Sequence, residues 1–403
     1  MFDQPIEKQE ETTALSKTQH GIFLFSIFCF WFSTYIYIPT FGVYLEDTGL
    51  NYSAIGIILG AYGISQVLLR LPLGVFLEWL DSSKKKWLIF GFIMAIVSGI
   101  LLVYSESFSL ILIARLLAGV TASMWVMATI MYGQYFPVYK STKAMSTMQF
   151  ITVFTQFISM VLCSVLIQWY GWTFPFWIAT LTAVLGAALL LFVPEVRRPT
   201  SRNTSSYWNI CKKTFKVKNL MNISILSIIG HAILFITIFG FSPIYVVNLG
   251  YGEQAITWIV YAFFIPHALA SLGLAFYSLD PAYNRAALII SFAFSSLCLA
   301  VLSGTDSIAL VLLSHVGVGL ALGFVLPILL GEAASLGSSD MKLPTMGFYQ
   351  SLYAIGIFLG PIVAGEIAAR ADLEAVFYFA TSLSVIAILV LILGNYASSS
   401  KAN

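Results

Sequence analysis

The chain has 403 residues, of which 59% are hydrophobic and 9% charged, with a formal net charge of +2. A soluble domain carries roughly 25% charged residues, so this composition and a mean hydropathy of +0.90 exclude an ordinary soluble protein; no nucleic-acid partner is expected. What remains is an all-α membrane protein, because in lipid a helix of roughly 20 apolar residues satisfies its own backbone. The four cysteines, Cys29, Cys163, Cys211 and Cys298, are scattered. Neither a disulfide framework nor a zinc site is expected from that spacing, and no metal or cofactor is called for.

Residues 1–20 read as a polar tail without the apolar core of a removable signal peptide. Twelve apolar runs follow, at about 21–45, 53–79, 87–104, 108–132, 144–168, 173–193, 220–247, 255–278, 286–303, 308–331, 346–368 and 375–396. The longest connection, Pro194 to Asn219, carries seven basic residues. It divides the chain into six-span halves at 21–193 and 220–396, joined by a linker at 194–219 and followed by a tail at 397–403. The second part of the linker, Tyr207 to Lys218, has the pattern of a short helix on the membrane surface. The plainer reading is a tether.

Orientation follows from lysine and arginine. With both termini in the cytoplasm, 17 of the 20 basic residues fall on the cytoplasmic side, Arg370 falls outside, and Arg70 and Arg115 lie within spans. The compact loops suit a bacterial inner (plasma) membrane.

Span four, Ser107 to Ser123, is apolar apart from Arg115. A charge at mid-membrane costs about 3 kcal/mol on insertion scales, so Arg115 must face protein or a watery cavity. The stretch recurs 200 residues later: Ser307 to Gly319 places His315 at the register of Arg115, and Gly319 at that of Gly119. Phe41-Gly-Val-Tyr44 is echoed near Phe241 to Tyr245, and Phe176 to Thr180 by Phe377 to Thr381. Two repeated halves predict a transporter, with the substrate site between them near the midplane. On this reading the two helices bearing Arg115 and His315 stand face to face.

Several stretches resemble the major facilitator superfamily. Gly74 to Lys86 resembles the loop between that family's second and third spans, with Gly74 matching and Glu78 in place of its aspartate. Arg115-Leu-Leu-Ala-Gly119 is similar to the family's span-four motif. Gly171-Trp172-Thr173-x-x-Phe176 and Val193-Pro194-Glu195 resemble sequences flanking its sixth span, and Tyr52 to Gln66 is similar to drug-efflux-like members. The glycine–proline motif that such antiporters carry in span five is missing; Gly356, Gly360, Pro361 and Gly365 form a related pattern in span eleven. The resemblance implies twelve helices in two pseudo-symmetric six-helix bundles. It also implies a cavity lined by spans one, four, seven and ten, proton coupling or substrate charge at Arg115, and a conformational latch at Glu78, whose acid would meet a helix N-terminus of the other half.

No Asp or Glu lies near the centre of a span. The mid-membrane titratable groups are His231, His267 and His315, of which His315 and His231 are the candidates for proton or substrate contact. Arg70 is a further intramembrane charge that either snorkels or pairs with an acid such as Glu332. Trp31, Tyr35, Met124, Trp125, Gln350 and Tyr353 are candidate cavity-lining residues, since aromatic and methionine surfaces suit a large, partly apolar ligand. The expected function is proton-coupled secondary transport, by a monomer, of a small amphiphilic molecule out of the cell. Import or exchange of an anionic metabolite or siderophore-like compound is the alternative, and a non-transporting sensor of the same fold is the third reading. No catalytic motif is present, so an enzyme is not expected.

Overall fold

The computed structural model describes residues 15–79, 83–136, 141–196, 207–276, 279–336 and 341–394. Those residues contain twelve helices long and apolar enough to cross a membrane: Lys17–Asp47, Tyr52–Leu73, Lys84–Tyr104, Phe108–Gly133, Thr147–Tyr170, Phe174–Leu191, Leu220–Tyr251, Gln254–Leu274, Pro281–Leu302, Ile308–Ser335, Pro344–Arg370 and Leu373–Leu393. We call them spans one to twelve. Short connections make successive spans antiparallel, so both ends of the described chain lie on one face. That face is termed here the terminal face and the other the opposite face. A further helix, Tyr207–Phe215, lies in the linker, which the plainer sequence reading takes as a tether.

Local chemistry sets the helix ends. Ser16 and Gln19 close a reciprocal capping box at the start of span one. Asp372 accepts from the Ala375 amide at 2.7 Å and caps span twelve. Spans one, four and seven are interrupted. Span one breaks at Ile36 and Tyr37 ahead of Pro39, span four breaks at Met124, and span seven passes through a π-helical turn at Thr237–Phe241 just before Pro243. A missing or displaced backbone bond allows each bend.

The internal repeat survives as contacts. Tyr44 meets Phe176 edge-on at 5.2 Å between spans one and six, and Tyr245 meets Phe377 edge-on at 5.1 Å between spans seven and twelve. Gly119 seats span four on the backbone of Tyr62 in span two, and Gly319 seats span ten on Phe263 in span eight. Small residues permit such approaches where packing alone drives helix association.

The halves meet along spans two and eleven. A side chain at Gly56, Gly60 or Gly63 would collide with the backbone of Pro361 or Phe358, and one at Gly365 with the backbone of Tyr52. The glycine–proline pattern of span eleven thus serves two neighbours, because Gly356 and Gly360 abut Ile228 and Ala232 of span seven. On the opposite face, polar bonds join the halves. Ser53 donates to Glu366 at 2.7 Å, and Asn248 donates to Glu46 at 3.1 Å and to Tyr52 at 3.0 Å. Deeper in the seam the Ser351 hydroxyl takes the Leu71 amide at 2.9 Å.

Gly63→Val is expected to force spans two and eleven apart. Overpacking of this kind costs about 1–3 kcal/mol, which thermal unfolding of the detergent-purified protein would show as a lowered midpoint. An unchanged midpoint would mean that the seam is not held by backbone contact.

Candidate functional site

Arg115 lies seven residues inside span four and is 1% exposed. Its guanidinium donates to the Tyr37 hydroxyl at 3.1 Å. It also lies 5.8, 5.2 and 4.8 Å from the ring centres of Tyr37, Phe41 and Tyr62. Each such ring offsets about 0.5–2 kcal/mol of the cost of burial, so three of them roughly balance the ~3 kcal/mol penalty. All three rings belong to spans one and two. Arg115 therefore finds its ring partners inside its own bundle, while its Nε is buried without a hydrogen-bond partner.

His315 occupies the matching depth in span ten and is 2% exposed. Its Nδ1 lies 2.7 Å from the Val311 carbonyl, while Nε2 is buried without a hydrogen-bond partner. The expected face-to-face arrangement of these two helices is not observed. Span four packs on spans two and three, and span ten on spans eight and nine, with span seven also beside it. The repeat that gives Arg115 and His315 the same depth also gives each the same inward bundle environment, which keeps them apart.

The polar group that does reach across the seam is Arg70. It neither snorkels nor joins Glu332. It is 3% exposed, and Nη1 donates to the Tyr353 hydroxyl of span eleven at 2.6 Å, with the Tyr353 ring 5.2 Å away. Nη2 reaches the Ala122 carbonyl at 3.5 Å, and Nε is buried without a partner. Glu332 instead accepts from Asn284. Among the described residues no carboxylate comes within ion-pair distance of Arg70 or Arg115, the one recorded ion pair being Glu366–Arg370.

Tyr353 links Arg70 to the C-terminal half. His231 of span seven stacks on its ring at 4.0 Å with an interplanar angle of 6°. Nδ1 of His231 lies 2.8 Å from the Ser227 carbonyl, which places the ring proton on Nδ1 and leaves Nε2 as its second polar atom. Ser227 bonds in turn to the Tyr349 hydroxyl at 2.8 Å. Arg70, His231 and Tyr353 each lie about ten residues from the terminal-face end of their helices. At 1.5 Å per residue that is roughly 15 Å, about half a bilayer core.

Aromatic side chains continue from this point. Trp31 packs on Tyr35 and Trp125 at 5.5 and 5.2 Å. Tyr35 meets Phe239 of the other half at 6.0 Å, and Tyr62 stacks on Phe235 at 6.1 Å. Trp31 Nε1 and Gln350 Oε1 are buried without partners. His231, Gln350 and Tyr353 keep partial exposure. Met124 departs from expectation: it is 1% exposed and its side chain fills the space over Gly91 in span three. Because it sits at the break in span four, it turns into the bundle. His267 is likewise internal, with Nδ1 3.2 Å from the Gly319 carbonyl.

The side chain of Glu78 lies outside the described residues. A different acid meets a helix N-terminus nearby. Glu195, next to Pro194 after span six, accepts from Ser83 and from the Lys84 and Lys85 amides at the start of span three. The dipole and the free amides of that first turn favour an anion there. The Val193-Pro194-Glu195 stretch was a signal for it; its partner helix was not readable from the sequence.

The comparisons with known proteins agree with this arrangement. A family model described as Major Facilitator Superfamily matches residues 23–342. Quinolone resistance protein NorA of Staphylococcus aureus is 32% identical over 104 residues, so the match spans 26% of this chain and 26% of NorA. Among solved structures, the nucleoside transporter NupG superposes with a TM-score of 0.71 at 18% identity, over 94% of this chain and 99% of its own. The human organic anion transporter MFSD10 gives 0.65 at 14% identity, over 93% and 100%. A bacterial homologue of the human lysosomal transporter Spinster, inward-facing and occupied, gives 0.68 at 12% identity, over 94% and 97%. With twelve spans in two repeated bundles and the family model across most of its length, the chain belongs to the Major Facilitator Superfamily and is a multi-pass membrane transporter.

Proposed function

We propose that this transporter exports a small amphiphilic molecule by alternating access, coupled to inward movement of protons. The observation that carries the reading is the seam itself. Partly exposed Tyr353, His231 and Gln350 sit at mid-depth beside an aromatic cluster contributed by both halves. Aromatic surfaces accept amphiphilic solutes through area and stacking rather than a fixed hydrogen-bond pattern. The partial similarity to NorA supports export over import.

The terminal face is taken as cytoplasmic because Lys84, Lys85, Lys86 and the linker lysines gather there. The inter-half bonds then close the outer face and run inwards as far as Leu71 and Ser351, a state that loads from inside. The protein works as a monomer in the inner membrane, and no chemistry is performed on the substrate. His231 at the seam is the first choice for the proton carrier, with His315 inside its bundle the second. Arg115 holds spans one and two in place around the site, and Glu78 retains its proposed latch role. A second reading, import or exchange of an anionic metabolite, is favoured by the two buried arginines that lack carboxylate partners.

Everted vesicles loaded with a pH-sensitive dye test the direction. Addition of an amphiphilic substrate should release protons from the lumen; proton movement in the same direction as the substrate would instead establish the import reading. Silence toward every compound that binds would leave only a sensor. Arg115→Ala is expected to abolish flux while folded protein remains in the membrane, and retained flux would remove Arg115 from the mechanism.

The outer bonds carry their own expectation. Ser53→Ala combined with Asn248→Ala removes hydrogen bonds worth about 1 kcal/mol each. The population should shift towards an outward-open form, seen as longer distances between spin labels at Asp47→Cys and Ala371→Cys. An unchanged distance distribution would show that those bonds do not hold the outer face.

A further inference from the structure

We infer that Arg70, with Tyr353 and His231 beside it, forms a subsite for the carboxylate of an aromatic organic acid. This deepens the transporter reading and does not depend on the direction of transport. Three observations lead to it. The first is the difference between the two intramembrane arginines. Arg115 is enclosed by three rings and a phenol of its own bundle. Arg70 has a single ring, a short hydrogen bond to the Tyr353 hydroxyl across the seam and a long one to the Ala122 carbonyl, and like Arg115 it leaves Nε buried with no partner. A guanidinium has five N–H donors in a rigid plane that matches a carboxylate bidentately. Arg70 uses one of them well, and no acid of the described chain offers to take the others.

The second observation is position. Arg70 belongs to the N-terminal half, while Tyr353 and His231 belong to the C-terminal half. A ligand anion bound here touches both halves at once, as the substrate of an alternating-access carrier must. The carboxylate would replace the Tyr353 hydroxyl as the main acceptor for Arg70, so that loading loosens one of the bonds between the halves.

The third is what surrounds the charge. Tyr353, the partner of Arg70, stacks on His231 and meets Tyr349 edge-on at 5.5 Å. Tyr35 packs on Trp31 and, across the seam, on Phe239. An anionic head on Arg70 thus places the ligand's body against rings, and the unpartnered Trp31 Nε1 and Gln350 Oε1 provide polar points for further substituents. An inorganic anion would leave those apolar walls unused, which is why an aromatic acid is the class inferred.

Matched ligand pairs test this by isothermal titration calorimetry on the purified full-length protein. Naphthoate and its methyl ester have the same ring and differ in the charge that Arg70 would read. Wild type should bind the acid at least about tenfold more tightly than the ester, since charge-assisted bidentate bonds are the strong ones. In Arg70→Gln the acid-to-ester ratio should fall to about one. In Arg70→Lys it should be intermediate, because an ammonium keeps the charge and loses the planar fork. Equal affinity of wild type for acid and ester, across naphthoate and larger aromatic acids, would overturn the proposal whether or not the variants fold. So would an acid preference that survives Arg70→Gln. Flux measured separately in vesicles keeps the two readings apart: flux without acid preference removes the subsite and keeps the transporter, and acid preference without flux does the reverse.

Discussion

The arrangement depends on how closely span two approaches span eleven. Gly56, Gly60, Gly63 and Gly365 let the two backbones touch, and no larger residue fits at those points. That contact is what brings Arg70 within hydrogen-bond distance of Tyr353. It also holds Ser53 against Glu366 and the Leu71 amide against Ser351. Elsewhere the halves meet through contacts such as Tyr35–Phe239, Tyr62–Phe235 and Asn248–Glu46, and a carrier has to be able to part its halves and bring them together again. A seam built from van der Waals contact and a few exchangeable hydrogen bonds suits that requirement better than buried ion pairs, which are strongly destabilised when one partner is withdrawn.

The two buried arginines show how the same residue type serves different ends. In lipid-like surroundings a guanidinium must find compensation, and rings can supply it where no acid is at hand. Arg115 finds three rings and stays within the N-terminal bundle. Arg70 finds one ring across the seam, and the Tyr62 ring beside Arg115 stacks on Phe235 of the other half. Charge, aromatic surface and the inter-half boundary are thereby joined in one continuous cluster, which ties what happens at the seam to the packing of spans one, two and four. The breaks in spans one, four and seven fall around the same region, where interrupted helices allow side chains to be re-aimed without dismantling the bundle.

Much of the architecture was legible in the chain. Hydropathy alone located the spans to within a few residues, because only a closed helix satisfies its backbone in lipid. The 200-residue repeat anticipated real contacts: the Tyr44–Phe176 and Tyr245–Phe377 pairs and the glycine seats at Gly119 and Gly319 are equivalent in the two halves. The repeat misled in one respect. Equal depth suggests mutual facing, yet a residue repeated in both bundles faces the interior of each, as Arg115 and His315 do. Its helix alone places Met124 among the cavity-lining candidates, and the break at that residue turns it towards span three.

What the sequence by itself determined was the twelve spans, the repeat, the family resemblance and the presence of intramembrane charge, all of which follow from composition, spacing and local motif. What only the tertiary structure decided was partnership. Arg70 could be seen as unusual, but whether it met water, Glu332 or Tyr353 depended on the rotation of span two against span eleven, set by glycine contacts and by the Leu71–Ser351 and Ser53–Glu366 bonds, whose partners lie 280 and 313 residues apart in the chain. Likewise Glu195 reads locally as the end of span six and becomes the cap of span three only when the bundle closes. Hydrophobic periodicity records which face of a helix avoids water; it holds no record of which neighbour that face meets, because in a membrane every apolar face is equally content with lipid.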